Sequence, residues 1–254
     1  MVYVDAHCHL GSYQFDSDRD EVITRMLTAR VHKAIMICCN KHDLKESLRL
    51  RDEHPGFRLA YGIHPQSLET DSTPDLFEKF RNRVIECQPD MIGEIGLDYF
   101  SHRHTKDIQK EFFVRQLKLA QQMNLPVDIH NRKASADTLE ILKQYPIRGI
   151  IHSYSGSVEM AMLYIRLGYY ISFGASVLFA NARKPAEVIR AVPLERILIE
   201  TDAPYQSPIR DHRHEPADVV RIYSAIAQIK EIPSAELMQT VSDNFDNVFH
   251  PGSF

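Results

Sequence analysis

His7 and His9 stand two apart in VDAHCHLG, residues 4–11, a stretch otherwise small and apolar. On a strand, successive side chains point to opposite faces, so both imidazoles project one way and Ala6 and Cys8 the other. Such a pair can hold one metal ion, although H-x-H in a chain with 13 histidines is weak evidence alone. Further nitrogen and oxygen donors close other apolar runs: Glu94 in GEIGLD, His130 in LPVDIHNR, His152 in GIIHSYSG and Asp202 in ILIETDAP. Singly, each reads as a buried polar group satisfied by backbone, a helix cap or an ion pair. Four histidines and two carboxylates gathered in one place are costly to bury without cations. The set contains no thiolate and is too large for one tetrahedral ion, so two divalent ions sharing a bridging carboxylate are the simpler account. Two ions roughly 3.5–4 Å apart clamp the attacking and leaving oxygens of an in-line displacement, and hydrolytic chemistry is expected. The donors leave the ions open among Zn²⁺, Mg²⁺, Mn²⁺ and Ni²⁺.

These residues meet only if the chain brings strand ends together. Candidate strands recur at 3–7, 34–39, 58–63, 91–95, 126–130, 149–153, 169–173 and 196–201, several of them continuous apolar runs of the kind buried on both faces of a parallel sheet. Helical period fills the gaps; in 107–123, Ile108, Phe112, Phe113, Leu117, Leu119, Ala120 and Met123 fall within half of a helical wheel. Eight alternations of strand and helix with no linker or low-complexity stretch predict a single (β/α)₈ TIM-type barrel, with parallel strands inside an outer helix ring, over residues 1–254. The C-terminal strand ends of such a barrel converge on one mouth, where these folds keep their chemistry. An open doubly wound sheet is the alternative. Against it, no G-x-G-x-x-G follows the first strand, and the candidate residues fall at five strand ends rather than at one switch point. Residues 215–249 read as two closing helices, with Pro216 in the first turn of one and Pro233-Ser234 opening the other.

Composition is that of an ordinary globular protein, 44 % hydrophobic and 25 % charged. A net charge of −4 argues against a broad electrostatic grip on duplex DNA, so contact with nucleic acid should be local. Cys8, Cys38, Cys39 and Cys87 form no C-x-x-C pair and suit reduced thiols. Neither a basic n-region with an apolar h-region nor an apolar run of membrane-spanning length occurs, so a cytoplasmic protein without membrane contact is expected. No oligomer is predicted.

The chain resembles the TatD family of metal-dependent deoxyribonucleases, within the amidohydrolase-like barrels. The likeness is carried by DAHCHL at 5–10, GIHP at 62–65, GEIGLDY at 93–99, QKEFFVRQLKLA at 109–120, LPVDIHNR at 125–132, HSYSGS at 152–157 and ETDAPY at 200–205. The resemblance independently implies a (β/α)₈ fold. It makes His7 and His9 ligands of one metal, His130 and His152 ligands of the other and Glu94 the bridge, with Asp202 completing the first site and serving as general base toward the attacking water. Outside this set, His64 in GIHP can hydrogen-bond a phosphate, orient a ligand or fix its own turn. Arg132 can pair with a phosphate in a forked contact or sit solvated, and Tyr205 can stack on a terminal base or pack. The chain departs from the family's pattern at Gln66, where many members carry a second histidine, and in RDHRHEP at 210–216, where Asp211 and His214 replace a glycine and an asparagine. An acid there can repel a polyanion; Arg210, Arg213 and the cluster His102, Arg103, His104 can offset it or form an ordinary solvated, mixed-charge surface. The leading expectation is a phosphodiesterase that trims ends of single-stranded DNA. The alternatives are an amidohydrolase-type hydrolase or deaminase of another small substrate, and a metal-binding scaffold with little turnover.

Overall fold

The computed structural model describes residues 1–70, 72–179 and 182–250; residues 251–254, the end of the expected 1–254 unit, lie outside them. All eight expected strands form: β1 Tyr3–Cys8, β2 Val31–Cys38, β3 Phe57–Tyr61, β4 Met91–Asp98, β5 Val127–Arg132, β6 Gly149–Ile151, β7 Tyr170–Phe173 and β8 Ile197–Ile199. Neighbours pair in parallel in the order of the chain, as in a TIM barrel. Parallel pairing demands a crossover after each strand. The helices supply it: α1 Arg19–Thr28, α2 Lys41–Glu53, α3 Pro74–Cys87, α4 Lys106–Met123, α5 Ser135–Gln144, α6 Val158–Arg166 and α7 Arg183–Ala191. After β8, α8 Val219–Lys230 and α9 Ser234–Phe249 complete the outer ring. Pro216 opens a short 3₁₀ turn, Pro216–Asp218, that runs directly into α8 behind a Glu215–Asp218 capping box.

The period read in α4 marks its inner face. Phe112, Phe113, Leu117, Leu119 and Ala120 are buried, while Ile108 and Met123 are half-buried at its ends. Burying each large side chain of that stripe is worth about 1.5–3 kcal/mol. Two glutamines on the same face do different work. Gln116 accepts from the Ile63 amide at 2.7 Å and donates to the Ile63 carbonyl at 3.2 Å. Gln109 accepts from the Asp98 amide at 2.8 Å and donates to the Asp98 and His102 carbonyls. One helix thereby pins the segment before His64 and the end of β4.

β8 is only three residues long, and side chains close much of its seam with β1. The Asp5 carboxylate takes the Thr201 amide at 2.9 Å and the Thr201 hydroxyl at 2.6 Å, where a strand would have offered a carbonyl. The Tyr223 hydroxyl, from α8, accepts from the Val4 amide at 3.2 Å and donates to the Val4 carbonyl at 3.3 Å. Past the end of β8, the Asp202 amide donates to the His7 carbonyl (2.9 Å) and the His9 amide to the Ala203 carbonyl (2.7 Å).

Candidate metal centre

β4 is buried along its whole length and carries Glu94 into the barrel axis. Two of its glycines make room for what surrounds that carboxylate. A Cβ at Gly93 would lie 2.5 Å from the Asp128 Cβ, and Gly96, at φ +143°, lets β4 approach the His130 carbonyl to where a Cβ would stand 2.0 Å away.

Around Glu94 the expected donors converge from β1, β5, β6 and β8. Glu94 Oε1 lies 2.7 Å from His130 Nδ1, 2.7 Å from His152 Nε2 and 3.4 Å from His64 Nε2. Its other oxygen faces His7 Nε2 at 3.6 Å. Asp202 Oδ1 sits 3.4 Å from His7 Nε2 and 3.2 Å from His9 Nε2. Asp202 holds that position on a left-handed backbone, φ +58°, a conformation in which Asp is better tolerated than most residues. The donors thus form three overlapping groups, His7–His9–Asp202, His7–Glu94–His152 and His64–Glu94–His130, joined through His7 and Glu94. Glu94 offers one oxygen toward His7 and the other toward His64, His130 and His152.

Behind three of the imidazoles stand acids that the sequence reading passed over. Asp128 Oδ1 lies 3.2 Å from His7 Nδ1, Asp98 Oδ2 lies 3.4 Å from His130 Nε2, and Glu200 Oε1 lies 3.4 Å from His152 Nδ1. All three acids are fully buried. An imidazole that gives its outer N–H to a carboxylate presents its inner nitrogen as a lone pair, the form in which histidine binds metals. A signal for two of the acids, Asp128 and Glu200, was present in VDIH and IETD, as it was for Asp5 in VDAHCH: an acid two residues before a donor lies on the same strand face, one layer deeper. What no local pattern shows is that the support is crossed. Asp128 serves His7 rather than its neighbour His130, and Asp5 serves Thr201.

Charge in the cluster is mutual. Burial works against the charged form of His7, yet Asp128, Asp202 and Glu94 hold it well above the ordinary imidazole range. His152 is likewise raised by Glu94 and Glu200, and His130 by Asp98 and Glu94. Against the same burial, His152, His64 and His130 drive Glu94 well below the carboxylate range, and His7 and His9 do so for Asp202. Asp5 is the contrast: burial pushes it up to about 7 despite its bonds from Thr201.

Of the residues expected to touch substrate, His64 does more than one job. Its Nδ1 accepts from the Gln66 amide at 3.2 Å, fixing the turn Pro65–Ser67, which leaves the proton on Nε2 pointing at Glu94. Arg132 is exposed with its guanidinium 4.2 Å from the Phe100 ring centre, and Tyr205, 46 % exposed, sets its ring 5.2 Å from that of His9. The departures from the family pattern find physical reasons. Gln66 donates to Asp98 Oδ2 at 2.6 Å, holding the acid behind His130. Asp211 sits at φ +58°, a position that favours glycine, and lies 3.5 Å from Arg210. His214 is buried, with Nδ1 3.0 Å from the Tyr205 carbonyl, so it fixes the loop after β8. Arg213 does not serve as a spare cation: Asp18 at 2.6 Å and Glu215 at 3.1 Å neutralise it.

The donor set suits divalent ions on the protein's own terms. It offers imidazole and carboxylate only, and His7 Nε2 is fully buried without a hydrogen-bond partner, aimed between Glu94 and Asp202. Among the described residues no helix is long and apolar enough to cross a membrane.

Comparison with known proteins agrees with this geometry. A family profile described as TatD related DNase matches residues 4–250. The chain is similar to the uncharacterized metal-dependent hydrolase YabD of Bacillus subtilis, 35 % identical over 250 residues covering 96 % of this chain and 98 % of the relative. It is 33 % identical to the uncharacterized metal-dependent hydrolase YcfH of Escherichia coli K12 over 98 % of this chain and 96 % of that one. The crystal structure of YjjV, a TatD homologue from Escherichia coli K12, superposes with a TM-score of 0.89 at 28 % identity, covering 98 % of each chain. The chain belongs to the TatD-related DNase family and is a metal-dependent hydrolase.

Proposed function

We propose that this chain works as one domain, a two-metal phosphodiesterase that trims ends of single-stranded DNA. The observation that carries the reading is the crossed support of the imidazoles: Asp128, Asp98 and Glu200 back His7, His130 and His152, so that each inner nitrogen, once a cation displaces its proton, would offer a lone pair beside Glu94. In this reading His7, His9 and Asp202 would hold one divalent ion, His130 and His152 would hold the other, and Glu94, with an oxygen facing each group, would join them. When bound, the ions supply Lewis-acid chemistry, offsetting charge on the non-bridging phosphate oxygens and lowering the pKa of an attacking water. Asp202 would serve as the general base toward that water. Its outer oxygen accepts from Gln206 at 2.5 Å, which fixes the plane of the carboxylate. His64 donates through Nε2 to Glu94 or to a phosphate oxygen, and the Arg132 guanidinium offers a forked pair of donors to phosphate. Tyr205, beside His9, gives a terminal base an exposed ring to stack on. The imidazoles favour Zn²⁺, Mn²⁺ or Ni²⁺ over Mg²⁺. The unbridged cysteines suit a reducing cytoplasm.

The test is digestion of an end-labelled single-stranded oligonucleotide by the metal-loaded full chain, with and without chelator, beside Asp202→Asn. Chelator-sensitive release of mononucleotides that Asp202→Asn abolishes is the expected result. An intact oligonucleotide alongside turnover of amide or ester substrates would overturn the nuclease reading, and so would bound metal with no turnover.

A further inference from the structure

The loops around the mouth are not electrically alike. On the side formed by the loops after β1 and β8, the arginines are already paired: Arg19 with Asp16 and Glu46, Arg25 with Asp18 and Glu215, Arg210 with Asp211. On the side formed by the loops after β4 and β5, Arg103, Arg132 and Lys133 are all exposed, and among the described residues none of them is ion-paired. The same side carries Phe100, which stays 62 % exposed even with the Arg132 guanidinium over one face. This pair stands close to the chemistry. Phe100 and Arg132 each follow by two residues a member of the His130–Asp98 pair, and Asp98 and Arg132 are register partners on adjacent strands.

An exposed aromatic ring braced by a cation is a surface on which any unpaired base can stack, whereas a duplex keeps its bases stacked internally. Unpaired cations beside such a ring track a phosphate backbone, and paired ones do not. Resting on the nuclease reading above, we propose that single-stranded nucleic acid leaves the metal centre over the β4 and β5 loops. One base stacks on the Phe100–Arg132 platform, and the flanking phosphates lie against Arg103 and Lys133. Beyond the terminal base at Tyr205, the opposite side of the mouth, where acids match every arginine named, carries none of the outgoing strand.

The probe is 5′-fluorescein-labelled oligothymidylate, titrated by anisotropy at low salt against the metal-depleted full chain, so that the strand is not consumed. Phe100→Ala should weaken binding by about tenfold, the loss of one stacked base. The double variant Arg103→Gln, Lys133→Gln should flatten the dependence of log affinity on log salt by roughly 1.4, about 0.7 for each phosphate contact to a single strand. Arg210→Gln, on the other side, should bind as the parent does. All four substituted side chains are exposed, and equal thermal melts would confirm intact folding. Parent-like binding by both β4–β5 variants, or an equal loss in Arg210→Gln, would overturn the path. Hydrolysis of bis(p-nitrophenyl) phosphate by the metal-loaded parent separates the two ideas. If the diester turns over while strand binding ignores Phe100, the path fails and the hydrolase reading stands. If binding follows the expected pattern and no diester or strand is cut, the path stands and the nuclease reading fails.

Discussion

Asp128 offers the sharpest test of how this centre is held. Its carboxylate is fully buried and lies 3.2 Å from His7 Nδ1, while the opposite nitrogen of the same ring has no partner and faces Glu94 and Asp202. Asp128→Asn keeps volume and an acceptor oxygen but removes the charge that fixes the ring and raises its basicity. Loss of such outer support costs 10–100-fold in metal affinity, so Asp128→Asn should lose about tenfold, or roughly 1.4 kcal/mol. Asp128→Ala removes the acceptor entirely and should lose about a hundredfold, roughly 2.7 kcal/mol. Affinity is read by titrating Zn²⁺ into a mixture of protein and a chelating dye, with melting curves to confirm folding. Asp137→Asn, at an acid in the first turn of α5 that contacts none of the metal-site residues, is the control. If both Asp128 variants fold and bind Zn²⁺ within twofold of the parent, the carboxylate does not set the tautomer of His7, and the argument from crossed support is wrong.

Three further outcomes follow from the geometry. Tyr223→Phe strips Val4 of the hydroxyl that serves both its amide and its carbonyl; urea unfolding should show a loss of about 1–3 kcal/mol, and parent-like stability would mean that the seam does not depend on it. Asp137 is held at about 2, first by Lys110, then by the Tyr99 hydroxyl and Lys106. Its stabilisation is full above the unfolded pKa near 4 and lost as pH falls through about 2; with solvent screening it should amount to roughly 1 kcal/mol, so the stability gap between parent and Asp137→Asn should close below pH 4, and a gap that widens on acidification would refute the pairing. Metal present at about a hundred times its dissociation constant should add ~2.7 kcal/mol to the folded state, so chelation should lower the melting temperature by roughly 5–10 °C, and an unchanged melt would show that the loaded and stripped chains are equally stable.

Much of this was legible in the residues. Eight apolar runs and the 3.6-residue stripe of α4 correspond closely to the observed elements, because buried parallel strands and amphipathic helices write their periods directly into sequence. The donors at the strand ends were legible only as a set: one ionisable group closing an apolar run has several uses, whereas six at one barrel mouth are costly to bury without cations. Gln109 and Gln116 were not, since glutamine on a helix reads as solvent-facing and only the fold shows that it caps a neighbouring strand end. The role of Arg213 was not legible, because its partner Asp18 lies far away in the chain and beside it in space. Likewise Asp128 shares a strand with His130, and the twist of the barrel hands it to His7 instead.

The side-chain seam between the first and last strands has a bearing on how the protein is made. Asp5 and Thr201 stand 196 residues apart, and a ribosome adding about 5–20 residues per second needs roughly 10–40 s to produce the second after the first. Through that interval His7 and His9 are synthesised, exposed and without the carboxylate they face in the finished barrel. A nascent or prematurely ended chain therefore carries the imidazoles but not Asp202, and an ion bound by all three would mark a polypeptide that has been translated to its final quarter and has closed its ring.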